Sequence, residues 1–117
     1  LNNEDEFGLL TYMFPHVSSD LLKSVAEIAH LTRVEAGNDN PRISSGISTR
    51  TSVEIAGLLF DEFKLEDAAE ITIYPQYDNS GGVDSERTFV KQIVQKFISD
   101  GSDDILFNEQ EVKEASQ

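Results

Sequence analysis

Apolar residues along this chain recur at helical rather than alternating spacing, so helices are expected throughout. In the first run, Glu4 to Phe14, Phe7, Leu10, Tyr12 and Phe14 stand among polar positions, and acids gather at the start, where aligned peptide dipoles favour negative charge. A short helix is expected, ended by Pro15. The second run has the clearest pattern. After Ser18 or Ser19 as cap, Leu21, Leu22, Val25, Ile28, Ala29 and Thr32 keep helical period up to Gly37. The stretch from Gly37 to Gly46, GNDNPRISSG, is turn chemistry, a loop of glycine, proline, Asx and serine residues. A third helix is expected from about Thr49 to Phe63, with Val53, Ala56, Leu59, Phe60 and Phe63 on a broad apolar stripe widened by Ile55 and Leu58.

Leu65 to Ile73 is read as a fourth helix with Ala68, Ala69, Thr72 and Ile73 inward. A strand over Ile71 to Tyr74 competes, because those side chains are β-branched or aromatic. PQYDNSGGV, from Pro75 to Val83, is a second turn region. Asp84 or Ser85 then opens a last amphipathic helix to about Ser99, with Phe89, Val90, Ile93, Val94 and Phe97 in period and Arg87, Lys91 and Lys96 outside. The architecture expected is therefore all-α, a small bundle of four or five helices over residues 1–99. Its core is expected from Leu22, Val25, Ile28, Ala56, Leu59, Phe60, Val90, Ile93 and Phe97. Residues 100–117 read as an acidic tail with an apolar island at Ile105, Leu106 and Phe107. Asn108 with Glu111 three residues on resembles a capping pair, so one more short helix, formed if the island docks, and disorder are both open.

Length and charge narrow the possible functions. At 117 residues the chain makes one domain with a modest core. With no cysteine it has neither a disulfide framework nor a thiol nucleophile, as suits a cytoplasmic protein. Its net charge of −13, from 22 acidic residues against nine Lys and Arg, opposes direct binding of nucleic acid, which depends on neutralising phosphates. A basic protein partner suits that charge better. No apolar run has the length of a membrane span, and the N-terminus lacks the zones of a signal peptide. The start at Leu1 suggests a piece of a longer chain, and a processed terminus would look the same.

Candidate chemistry is sparse. His16 and His30 have no metal-ligand spacing. A calcium loop opening at Asp78 would need a glutamate where Phe89 stands, and one opening at Asp100 would need glycine where Ile105 stands. There is no G-x-S-x-G nucleophile turn, and neither Gly37 nor Gly46 begins a phosphate-binding loop with its lysine. What remains is Ile47-Ser48-Thr49-Arg50. Ser48 is a good helix N-cap, since its hydroxyl can accept a free backbone N–H. Arg50 then falls in the first turn, where a cation opposes the helix dipole unless an anion lies nearby. A surface carboxylate could supply that anion, and so could a ligand at the end of the glycine-containing loop.

The order of these elements, with the run from Ser18 to Ala36, the Ile47–Arg50 helix start leading into Thr51 to Leu59, and Glu86-Arg87-Thr88-Phe89-Val90 opening the last helix, resembles the C-terminal lid subdomain of AAA+ ATPases. It is most similar to the MoxR-like group that includes the cobaltochelatase-type and CbbQ-type ATPases, over about residues 4 to 99. The resemblance implies that Arg50 is the sensor 2 arginine, reaching the terminal phosphates of ATP. It further implies that ATP, with Mg2+, is held by an upstream AAA+ nucleotide-binding domain in a ring oligomer, and that the lid couples nucleotide state to remodelling. The Walker A loop, Walker B acids, sensor 1 and arginine finger have no counterpart in this sequence. The chain alone is thus not expected to be an enzyme or to hold a cofactor. The alternative expectation is an acidic helical interaction module with no nucleotide role.

Overall fold

A computed structural model describes residues 2–106, with side chains through residue 98. Asn108 and Glu111 of the expected capping pair, like Phe107, lie outside the described residues. Five helices make up the architecture: α1 (Asn3–Met13), α2 (Ser19–Ala36), α3 (Thr49–Phe60), α4 (Leu65–Thr72) and α5 (Glu86–Leu106), with short 3-10 turns at Tyr74–Gln76 and Gly82–Asp84. Among the described residues there is no β-strand. The stretch open to a strand reading instead ends α4 at Thr72 and enters the Tyr74–Gln76 turn, where Pro75 sits. No described helix is long and apolar enough to cross a membrane.

Helices α1 and α3 pack on α2, α4 packs on α3, and α5 lies across α2 and α4. The core between them holds Leu10, Leu22, Val25, Ile28, Ile55, Ala56, Leu59, Ala68, Ala69, Ile73, Val90, Ile93 and Val94. Ile43 and Ile47 join it from the α2–α3 loop, which therefore lies in contact with the core rather than free over the surface. That contact fixes the approach to α3.

Four details differ from the sequence reading. Phe60, expected in the core, is 54 % exposed, and Phe97 is only partly buried at the core edge. The buried face of α3 runs through Thr51, Ser52, Ile55, Ala56 and Leu59, so Phe60 falls on its flank. Leu21 of α2 and Tyr12 of α1 are likewise exposed, each a helical step away from the buried positions. Helix α3 stops at Phe60 rather than Phe63: Glu62 takes a left-handed backbone (φ 73°), its N–H bonds Leu59 O at 3.0 Å, and Phe63 N–H bonds Leu58 O at 2.9 Å. This pair of bonds satisfies carbonyls at the helix end in the Schellman pattern. Helix α5 runs past the end expected near Ser99 to Leu106. A single glycine such as Gly101 costs a helix about 1 kcal/mol and does not by itself stop it.

Candidate functional site

The start of α3 is built from local capping and from two neighbouring helices. Ser48 has extended backbone (φ −78°, ψ 161°), and its hydroxyl accepts Thr51 N–H at 3.2 Å, which makes it the N-cap of α3. Thr51 Oγ1 in turn accepts a bond from Gln76 Nε2 at 3.1 Å, tying the first turn of α3 to the segment after α4. The cap is thus anchored on both sides of the helix start.

The segment before it is seated on α2. Ile47 N–H donates to Thr32 Oγ1 at 2.9 Å, and Ile47 O accepts from Arg33 Nε at 2.7 Å. Gly46 has no space for a side chain, because a Cβ there would lie 2.7 Å from Arg33 Cα and 2.9 Å from Arg33 N. Close approach of backbone to backbone, not a turn, is what requires glycine at this position. Beyond its contact with Ile47, the Arg33 guanidinium forks onto the Glu6 carboxylate of α1, with Nη1 on Oε1 and Nη2 3.0 Å from Oε2. Glu6 is fully buried, while the Arg33 side chain is 28 % exposed. Such a two-pronged pair is strong and directional. Against apolar residues of equal volume its net stabilisation is small, so its main effect here is to fix where α1, α2 and the 46–48 segment meet.

The other side of the loop is held by α5 and the stretch leading to it. Tyr77 hydroxyl donates to Ser45 O at 2.8 Å, and Arg87 Nε donates to Tyr77 O at 3.2 Å. Burial, and then the Glu86 charge, push the Tyr77 phenol up to about 12, so it stays a donor at ordinary pH. Glu86 Oε1 accepts both Ser44 N–H (2.9 Å) and Ser44 Oγ (3.1 Å). The Arg42 guanidinium lies 4.5 Å from the centroid of the Phe89 ring.

Arg50 stands on this anchored platform, in the first turn of α3 and exposed. That turn contains no acid, and among the described residues Arg50 makes no hydrogen bond or ion pair. The cation that does find a carboxylate is Arg33. Ser48 and Arg50 are therefore brought together at one helix end, the first turned into the backbone and the second turned to solvent. The dipole of α3 is left opposed rather than compensated there, at a cost of about 0.3 to 1 kcal/mol. This end can give an anion one guanidinium fork, and it cannot enclose one.

Among the described residues no group of three or more His, Cys, Asp and Glu could hold a metal. An open hollow of about 370 Å³ lies between the start of α1 and α2, lined by Asn2, Asn3, Glu4, Phe7, Lys23, Ala26 and Glu27. Neither Arg50 nor Ser48 borders it.

Glu6, Thr32 and Arg33 were missed as parts of this platform. In sequence Glu6 stands with the acids of a helix start, yet it lies four residues before Leu10 and eight before Phe14, on the apolar side of α1. An acid at that position needs a buried partner, and this was the available signal. Compared with models of known protein families, with curated proteins and with solved structures, the chain finds no match in any of the three.

Proposed function

We propose that this chain is the lid portion of an AAA+ ATPase of the MoxR-like kind, in which Arg50 acts as the sensor 2 arginine. On this reading a separate nucleotide-binding domain holds ATP and Mg2+, the lid closes over the terminal phosphates, and nucleotide state passes through the lid to a ring assembly. The observation that supports it is the setting of Arg50: an exposed arginine in the first turn of a capped helix, unpaired among the described residues, just after a loop anchored to α2 and to Tyr77. A cation in that position is unfavourable by itself and becomes favourable when phosphate oxygens lie before it, where its planar fork fits them.

The gene sequence upstream of Leu1 gives the first test, since the reading requires Walker A and Walker B motifs within the preceding couple of hundred residues. In the protein carrying both parts, Arg50→Ala should lower ATP turnover on the order of a hundredfold or more, because one preorganised contact to developing phosphate charge is removed. Arg50→Lys should restore only part of the rate, since a point charge does not reproduce the fork. The melting temperature of this chain should be unchanged or slightly raised by Arg50→Ala. Wild-type turnover in that variant, or an upstream sequence without the Walker motifs, would overturn the reading.

A further inference from the structure

The opposite end of α3 leaves aromatic rings in water. Phe60 is 54 % exposed and Phe63 42 %, and the half-buried Phe14 ring at the end of α1 lies with its centroid 6.2 Å from that of Phe60, tilted by 45°. The left-handed turn at Glu62 returns Phe63 N–H to Leu58 O, so the backbone at Phe63 stays against the last turn of α3 instead of leading away. Tyr12 and Met13, the last residues of α1 before Phe14, are exposed too. Asp61 and Glu62 in the turn and Glu66 and Asp67 in the first turn of α4, all within a few positions of Phe60 and Phe63 along the chain, are exposed, with Lys64 as the cation among them and His16 two residues beyond Phe14. The exposed face of α4 continues with Glu70 and Ile71.

We propose that this face, Phe14, Phe60 and Phe63 rimmed by Asp61, Glu62, Glu66 and Asp67, docks a basic amphipathic segment of another protein. The apolar side chains of that segment would cover the rings while its Lys and Arg side chains meet the acidic rim. Clustered aromatic rings with charged surroundings are the usual form of an association surface, the rings supplying most of the affinity and the rim the choice of partner. Charge selects the occupant. A second copy of this chain would bring its own acidic rim and a net charge of −13 against the first, and an anionic membrane or a nucleic acid would meet the same repulsion. Neither Arg50 nor a nucleotide enters this inference, so it stands or falls apart from the proposed lid function.

The test titrates the chain with a synthetic 18-residue peptide of leucine and lysine, the leucines at helical spacing on one face, and with a scrambled peptide of the same composition. The patterned peptide should bind at least tenfold more tightly than the scrambled one and more weakly as salt is raised, and it should shift the backbone amide resonances of Phe60 to Asp67. The double variant F60S/F63S should lose about tenfold in affinity for the patterned peptide; both rings are exposed, and an unchanged melting temperature would show that the fold is kept. The variant E4Q/D5Q, which removes acidic charge at the start of α1, should bind as the wild type does. Equal binding of the two peptides would overturn the proposal, as would amide shifts centred away from residues 60–67 or no binding at millimolar peptide. Dimerisation of the chain through Phe60 and Phe63, seen by sedimentation and lost in F60S/F63S, would overturn it in favour of a second copy.

Discussion

The two ends of α3 are built on opposite principles. At its N-terminus the chain is held by directional polar contacts: the Ser48 cap, Thr32 on Ile47 N–H, Arg33 on Ile47 O, and the fully buried Glu6 behind Arg33. At its C-terminus the helix closes through backbone bonds alone, with a strained Glu62 and with Phe60 and Phe63 left in solvent. Polar contacts at fixed distances and angles define one position, whereas apolar contacts are non-directional and accept many. The first end is therefore suited to presenting one side chain, Arg50, in a fixed place, and the second to accepting a partner surface.

If that contrast is right, the N-terminal seat should be the costlier to disturb. Arg33→Ala strands the Glu6 carboxylate without its counter-charge and should destabilise the chain by about 3 to 5 kcal/mol in urea unfolding. Glu6→Gln should cost clearly less, because the guanidinium left behind is 28 % exposed and can still reach water. The double change Glu6→Leu with Arg33→Met should recover most of the loss, since no charge is then stranded. A loss within about 0.5 kcal/mol for Arg33→Ala would mean that the pair does not organise the seat.

Gly46→Ala comes next, at about 1 to 3 kcal/mol, because the added methyl meets Arg33 Cγ and also the Arg33 backbone, which cannot turn aside. Amide resonances of Ile47 to Thr51 should shift with it. Unchanged stability would show that the loop can lift from α2 without penalty. Ser48→Ala should cost about 1 kcal/mol through loss of the cap on Thr51 N–H, read as a lower urea midpoint.

The smallest effect should have the opposite sign. Glu62→Gly relieves a left-handed conformation that costs a side-chain-bearing residue roughly 1 to 2 kcal/mol. Glycine returns roughly 0.5 to 1 kcal/mol of that through its freer unfolded chain. The net gain should lie between about 0 and 1.5 kcal/mol, with a slightly higher melting temperature. A loss on this substitution would show that the Glu62 side chain makes a stabilising contact and that the turn is not strained.

Much of the fold was legible because helices announce themselves locally. The periods of Leu22, Val25, Ile28 and Ala29, and of Val90, Ile93 and Val94, predict helices whose buried faces are those found, since residues three and four apart share a face whatever surrounds them. Ser48 at a helix start was legible for the same reason, because a cap bonds within three residues of itself. The end of α3 was not. Six apolar positions from Ile55 to Phe63 offer two overlapping stripes, and the choice of Ser52, Ile55 and Leu59 over Val53, Phe60 and Phe63 depends on the direction from which α2 and α4 approach.

Local pattern along the chain thus suffices for an all-α architecture, the centres of its helices, a strongly acidic surface and an arginine in the first turn of a capped helix. The packing of the helices on one another is what makes Glu6 meet Arg33 across 27 positions, places Gly46 where a methyl group cannot fit, brings Ile43 and Ile47 of a loop into the core, and leaves Phe60 outside it. Contacts within a helical turn are fixed by the geometry of one helix, which any stretch of sequence carries with it. Contacts between helices depend on crossing angles and offsets that no single stretch encodes, and these set which charge is buried, which glycine is required and which ring is left for a partner.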